Sequence, residues 1–286
     1  MKKIEFESTL MEFWNNYGRQ ESRRERKDPR KKVHTDLLWR EINRCIDGRK
    51  SLTILDAGAG PGRFSIPLAE RGHNVVHLDI SEKMIEIARE KAKKKNLENI
   101  EFIHWDICKG FEFREKRFDL VLCLDSPLSY CYKNYKNVLR ELIEITKEKI
   151  ILCVANRYGV ILEGAVNFDL MHFGKIKTVR EVYKTGTLVV NEDLKKLEPS
   201  MFPSWHAFTS EELQQLIIDN GCKIERMLAP GTLARTIDAN LLKALFKNNL
   251  AYEDFLDFAE EFDSDRSILG VGAVSAGGLL LTALKK

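Results

Sequence analysis

The sequence predicts a doubly wound α/β fold around a mostly parallel, seven-stranded sheet with an antiparallel terminal strand, and three observations carry that prediction. Short apolar runs alternate with amphipathic stretches from about residue 52 to 154, the pattern of parallel strands joined by right-handed helical crossovers. The first apolar run ends in a glycine-rich turn, Asp56-Ala57-Gly58-Ala59-Gly60-Pro61-Gly62. Acids, Asp79 and Asp106, stand just where the second and third runs end. At 286 residues the chain suits one α/β core with insertions better than two full domains.

The elements follow in order. Residues 1–49 are expected as an N-terminal helical cap, with Leu10, Phe13, Trp14 and Tyr17 on one stripe and Leu37, Leu38, Ile42 and Ile46 on another. The core is expected over residues 50–286. Its strands fall at 52–55, 74–78, 100–104, 118–124 and 150–154, and its helices at 64–70, 82–95 and 135–146. The alternation breaks at residues 156–205, read as a lid insertion with a hairpin around Thr185-Gly186-Thr187. Thr209 then caps a helix that ends at Gly221, the position where a left-handed residue closes a helix. A strand at 223–228, a helical insertion at about 230–265 and a strand at 279–284 complete the pattern.

Composition excludes several classes. Hydrophobic residues at 44% beside 31% charged residues describe a soluble globular protein, and a net charge of +3 is too small to argue for a nucleic-acid or membrane partner. Cys45, Cys108, Cys123, Cys131, Cys153 and Cys222 form no C-x-x-C pair and have no histidine at metal spacing. They are expected to be reduced, buried residues of a cytoplasmic protein, with no metal site. Residues 267–284 carry no charge but include Gly270, Gly272, Gly277 and Gly278, so a broken loop and a buried strand are expected there, not a membrane span. Met1-Lys2-Lys3 leads straight into Glu5, Glu7 and Glu12, without the apolar core of a secretory leader. Residues 19–32 hold eight basic and three acidic residues, either a solvated face or a contact for an anionic substrate or RNA.

Glycine lets the backbone adopt positive φ and approach a ligand without Cβ interference, and Pro61 is expected in the first turn of the following helix, where its missing N–H costs nothing. The carboxyl edge of the first strand is where open α/β sheets bind nucleotides. A dinucleotide-binding turn would read G-x-G-x-x-G; this one reads G-x-G-x-G preceded by an acid. The turn resembles that of the class I S-adenosylmethionine-dependent methyltransferases, matching D-x-G-x-G-x-G at every fixed position. Asp56 sits more easily beside that cofactor's sulfonium and ammonium groups than beside a pyrophosphate. Asp79 can accept from both ribose hydroxyls; Asp79-Ile80-Ser81 with Met84 is similar to the family's D-[ILV]-S-x-x-M run. Trp105-Asp106-Ile107 corresponds to the family's adenine-binding segment. The resemblance, good over residues 50–155, implies a cofactor site of Asp56, Ala57, Gly58, Gly60, Gly62, Asp79, Ile80, Met84, Trp105, Asp106, Ile107 and Leu124. Tyr17 is the aromatic that would fold over the cofactor. S-adenosyl-L-methionine is the implied cofactor and S-adenosyl-L-homocysteine its product.

The run after the fourth strand, Asp125-Ser126-Pro127-Leu128-Ser129-Tyr130, departs at two of four places from the acid-Pro-Pro-aromatic motif of base-amine methyltransferases. With Asn156-Arg157-Tyr158-Gly159 and the segment from His206 to Leu213, it looks like a set of small-molecule methyltransferases. Methyl transfer from a sulfonium asks mainly for alignment, and for a base only where the acceptor holds its proton at neutral pH. Asp125, Tyr130, His172 and His206 are the candidate catalytic residues. Both histidines could equally be packing residues, and His77 and His104 are expected as core residues within strands. The expected function is methyl transfer to a small molecule; the alternative is an RNA or protein methyltransferase using the basic N-terminal segment.

Overall fold

The computed structural model describes residues 2–21, 24–111, 117–198, 201–271 and 278–286. Seven strands form one sheet: β1 (Thr53–Ala57), β2 (Asn74–Asp79), β3 (Ile100–His104), β4 (Phe118–Cys123), β5 (Thr146–Val154), β8 (Cys222–Leu228) and β9 (Leu279–Lys285). Their order is β3-β2-β1-β4-β5-β9-β8. β1 to β5 pair in parallel, and β9 runs antiparallel between β5 and β8. The chain thus starts in mid-sheet, winds outward through β2 and β3, and returns to β4 beside β1. That reversal opens a crevice at the carboxyl ends of β1 and β4, where such sheets hold ligands.

Alternating strand residues serve two cores. Leu55, Val121 and Leu152 face α7 (Tyr135–Ile145) and α12 (Ser210–Asp219), meeting Leu139, Leu142, Leu213 and Ile217. Ile54, Leu120, Leu122 and Ile151 face the other way, against Leu38 and Ile42 of α3 (Pro29–Ile46) and Leu68 of α4 (Ser65–Glu70). Each fully buried leucine contributes about 1.5–3 kcal/mol, so the two layers fix both the register and the helix faces. On the crossover between β2 and β3, α5 (Glu82–Lys94) is capped by the Ser81 hydroxyl, which accepts from the Met84 N–H.

Three further groups of helices complete the fold. α1 (Lys2–Glu21) and α2 (Arg24–Lys27) precede α3. α6 (Pro127–Tyr130) follows β4, and α8 (Arg157–Val160), α9 (Val166–Phe173), α10 (Thr178–Thr185) and α11 (Glu192–Leu197) occupy the expected lid. α13 (Ala239–Leu245), α14 (Asn249–Asp263) and α15 (Arg266–Val271) lie before β9. α3 joins this last group through Val33 and Leu37, which pack with Leu242, Tyr252 and Leu256. The Asp263 carboxylate gathers the N–H groups of Gly231, Thr232 and Leu233, anchoring the segment that follows β8.

Four expectations need correction. The hairpin at Thr185-Gly186-Thr187 does not form: Gly186, at φ +77°, closes helix α10 through its N–H to Val182 O. Strand β6 (Thr187–Leu188) instead pairs with the distant β7 (Trp205–His206). Cys108 and Cys131 are joined in a disulfide with Cα atoms 5.0 Å apart, because α6 packs on the turn after β3; the other four cysteines are free and buried. Pro61 lies in a turn ahead of α4, not in its first helical residues. His104, on the edge strand β3, is exposed and bonds Ile80 O at 2.8 Å, whereas His77 is buried as expected. Gly272 and Gly277 lie outside the described residues. No helix among the described residues is long and apolar enough to cross a membrane.

Candidate functional site

Neighbouring strand ends hold one another in place around the crevice. Gly58 N–H and Ala59 N–H donate to Leu78 O at 2.8 and 2.9 Å, and Trp105 N–H donates to Asp79 O at 3.0 Å. The turn after β1 is therefore tied to the end of β2, and the end of β2 to the turn after β3. Asp79, 6% exposed, reinforces this tie: Gly60 N–H donates to Oδ2 at 2.7 Å and Ser81 N–H to Oδ1 at 2.8 Å. Burial outweighs these bonds and raises the Asp79 carboxyl to about 6. Asp56 is 1% exposed and accepts from Ser65 N–H at 3.1 Å, holding the start of α4. Burial lifts its carboxyl to about 7.

The glycines of the turn do different work. A Cβ at Gly58 would stand 2.3 Å from Pro127 Cγ, so this glycine lets α6 press on the turn. A Cβ at Gly60, at φ +55°, would meet nothing within 4 Å. Gly60 faces a cavity of about 620 Å³, within the usual range for a bound small molecule.

One wall of that cavity holds Asp56, Gly58, Gly60, Asp79, Ile80, Met84, Trp105, Asp106, Ile107 and Leu124. Tyr17 lines it from α1, which lies across α5: Ser81 Oγ donates to Asn15 Oδ1 at 2.7 Å. Asp106 also caps the turn Ile107–Lys109 by accepting from Cys108 N–H at 2.9 Å. Ala57 and Gly62 are not among the lining residues. Ala57 is wholly buried at the end of β1, and a Cβ on Gly62 would meet Ile66 Cγ1 at 2.7 Å, so both act behind the wall.

Asp125 and Ser126 both take left-handed backbone conformations, at φ +61° and +76°. Two such residues in succession cost roughly 1–2 kcal/mol each, and the turn is held by Ser126 N–H donating to Cys153 O at 2.8 Å. The result aims the Asp125 carboxylate into a layer of charge. Oδ2 accepts from Arg24 Nη2 at 2.7 Å and Arg63 Nη1 at 2.6 Å, and Oδ1 lies 3.0 Å from His34 Nε2. Arg24 and Arg63 also bind Glu21, at 3.0 and 2.7 Å. Burial pushes the Asp125 carboxyl up, but Arg24, His34 and Arg63 outweigh it and hold it well below the ordinary carboxylate range. Both Asp125 oxygens thus have partners within this layer.

Tyr130 lines the cavity, with its hydroxyl raised above the ordinary phenol range by burial and then by Glu21. His172 and His206 do not line it. His172 stacks near Phe168 on α9, ring centres 4.5 Å apart. His206 is 3% exposed; its Nε2 lies 2.9 Å from Glu212 Oε1 and its Nδ1 2.8 Å from Thr187 Oγ1. Tyr135 stacks on its ring at 4.3 Å, and Arg157 bonds Glu212. This network fastens β6 and β7 to the core.

Sequence reasoning missed Arg63, beside the glycine turn, and the far-wall residues Trp14, Glu21, Arg24, Lys31 and Phe202. Arg24 and Lys31 belong to the basic segment, but these two face the cavity. Arg30 donates to Ile237 O at 2.8 Å and Lys32 pairs with Asp36. A helical reading of residues 24–31 for its inner face was the signal that could have found them.

Residues 54–149 match the family model described as a methyltransferase domain. The chain is similar to the tRNA 5-carboxymethoxyuridine methyltransferase of Escherichia coli (strain K12), 31% identical over 148 residues, covering 49% of this chain and 56% of that protein. It is also similar to the chloroplastic magnesium protoporphyrin IX methyltransferase of Arabidopsis thaliana, 32% identical over 160 residues, covering 52% and 48% of the two chains. The matches thus span about half the length of these curated relatives. The crystal structure of magnesium protoporphyrin IX methyltransferase from Synechocystis PCC 6803, with bound SAH, covers 98% of this chain and 99% of its own, at 19% identity and a TM-score of 0.55.

Proposed function

We propose, on the premise that this chain carries a class I, Rossmann-like S-adenosylmethionine-dependent methyltransferase domain, that it transfers a methyl group from S-adenosylmethionine to a small-molecule acceptor. One observation carries the reading: the glycine turn with Asp79 and Asp106 lines the same cavity as the wall of Trp14, Tyr130 and Phe202. Two ligands meeting there lie side by side, as transfer requires.

The residues fit this cofactor. Gly60 leaves side-chain-free space beside the turn. Each Asp79 oxygen accepts one N–H and retains a lone pair for a ribose hydroxyl. Ile80, Met84 and Ile107 offer apolar surface to the purine, and Asp106 an acceptor for its amino group. When bound, S-adenosylmethionine supplies an electrophilic methyl group on a cationic sulfur. The chain's contribution is alignment and exclusion of water, and alignment alone is worth up to about 7–11 kcal/mol in well-oriented systems.

The tRNA-modifying relative favours a second reading, a nucleic-acid acceptor. The placement of Arg24 and Lys31 in the cavity lining weighs against it. A test follows with methyl-labelled cofactor, purified protein and either a metabolite extract or total tRNA. Label is expected in small molecules, with a rate nearly flat in salt. Label confined to tRNA, with the steep salt dependence of phosphate contacts, would replace this reading with the other.

A further inference from the structure

A surface helix packed on a core buries its apolar stripe and turns its polar side to water; α9 does the reverse. Of its eight residues only Asp169 is buried, whereas Leu170 is 51% and Met171 78% exposed. The buried carboxylate has a local task. It accepts from Lys177 N–H at 2.6 Å, Val179 N–H at 2.9 Å and the Thr178 hydroxyl at 2.5 Å, which closes the chain between α9 and α10 into a tied turn. Gly174 to Lys177 are exposed throughout that turn, Ile176 among them.

Cations surround these apolar tips. Residues 170–184 hold four basic side chains and one acid, Glu181, all five exposed. Lys177, Arg180 and Lys184 recur at the spacing of one helix face, and Lys175 adjoins Ile176. Lys177 Nζ lies over the Phe173 ring, 4.5 Å from its centre, so charge and apolar surface are interleaved here. The net charge of the whole chain, +3, gives no reason to expect a membrane, but this one stretch carries an excess just as large.

A second copy of the chain fits this surface poorly: paired about a twofold axis, it would set the cations against themselves. A stable protein interface takes roughly 20–30 residues a side, and this handful of side chains falls well short. A bilayer asks for less: a few apolar side chains at headgroup depth, with cations facing anionic lipids. We propose that the turn between α9 and α10 docks the protein on an anionic lipid surface. Leu170, Met171 and Ile176 enter the boundary between headgroups and acyl chains, and Lys175, Lys177, Arg180 and Lys184 meet the headgroups. Phe168 and Thr178, on the same two helices, line the cavity, so docking sets the cavity beside the bilayer. Docking of this kind is independent of what the cavity holds.

Co-flotation of the full chain with vesicles tests this, using phosphatidylcholine alone and phosphatidylcholine mixed with phosphatidylserine. The mixed vesicles should bind at least about tenfold more tightly, and added salt should weaken that binding. Met171→Asp should cost about tenfold or more, because a buried apolar side chain is exchanged for an anion. Lys175→Ala should cost about fivefold. Both residues lie outside the cavity lining, so S-adenosylmethionine affinity and urea unfolding should match those of the unsubstituted chain, which separates a lost surface from a lost fold. Absence of binding to either vesicle, equal binding to both, or an unimpaired Met171→Asp variant would overturn the proposal. So would a concentration-dependent dimer in sedimentation that Met171→Asp abolishes, which would give the surface to a second copy.

Discussion

Between β1 and the turn after β3 the cavity wall consists of consecutive strand–turn–helix units, tied by backbone bonds such as Gly58 N–H to Leu78 O. The other wall is gathered from α1, α2, α3, α6 and the turn before α6, with Phe202 from beyond the lid helices. Side chains far apart in sequence hold it: Arg24 and His34 reach Asp125 across 101 and 91 positions. The first wall fails when a Cβ or a lost acceptor distorts it locally. The second depends on a few buried charges, so one substitution there reaches the whole assembly.

The sharpest way to break this contrast is Asp125→Ala. Removing the carboxylate strands Arg24 and Arg63 with side chains only 9% and 15% exposed, and breaking a buried pair costs about 3–5 kcal/mol. Urea unfolding without any ligand should register that loss. Unchanged stability would mean that the far wall does not rest on its ionic layer. Gly58→Ala attacks the near wall instead. The added Cβ meets Pro127 at 2.3 Å in a left-handed conformation, which alone costs about 1–2 kcal/mol. Cofactor affinity should suffer more than stability, and equal losses would argue that the turn serves folding alone.

Asp79→Asn preserves the shape of the near wall but removes its charge. Calorimetry should show cofactor affinity reduced by about 1.5–3 kcal/mol, the value of hydrogen bonds to a charged group. A pH series sharpens the assignment. Because burial raises Asp79 to about 6, its charged form, and with it cofactor affinity, should be lost as pH falls through that value. Stability of the ligand-free protein should move the opposite way. Carboxyls with raised folded values, Asp56 at about 7 and Asp79 at about 6, contribute stability below their unfolded values that is lost as pH rises through the folded ones. A pH-independent cofactor affinity in the unsubstituted protein would remove Asp79 from the ribose. The smallest effect is expected at exposed Lys27 on α2. Lys27→Glu should change stability by less than about 0.5 kcal/mol and leave the salt dependence of turnover unaltered; a clear change in that salt dependence would revive the RNA reading.

The same contrast explains what could be read in advance. Asp56, Asp79 and Asp106 stand at or just past strand ends in the sequence, and parallel strands with helical crossovers follow from alternation and handedness. The far wall has no such local mark. The sign of residues 19–32 says nothing about which helix face turns inward, so Arg24 and Lys31 read as solvated or RNA-facing. His206 sits between aromatic neighbours in sequence, but its partners Thr187 and Glu212 draw it away from the cavity. Cys108 and Cys131 are 23 residues apart, and only the packing of α6 on the turn after β3 brings them together. Gly186 served equally well as a hairpin residue or a helix C-cap until α10 was seen to end there.

The central claim is that the near wall seats a sulfonium nucleoside and not a dinucleotide. Titrating the purified protein with S-adenosylmethionine, and then with NAD in competition, tests it most directly. One equivalent of the nucleoside should bind and resist displacement by NAD. Absence of heat with the nucleoside, or its release by NAD, would contradict the account.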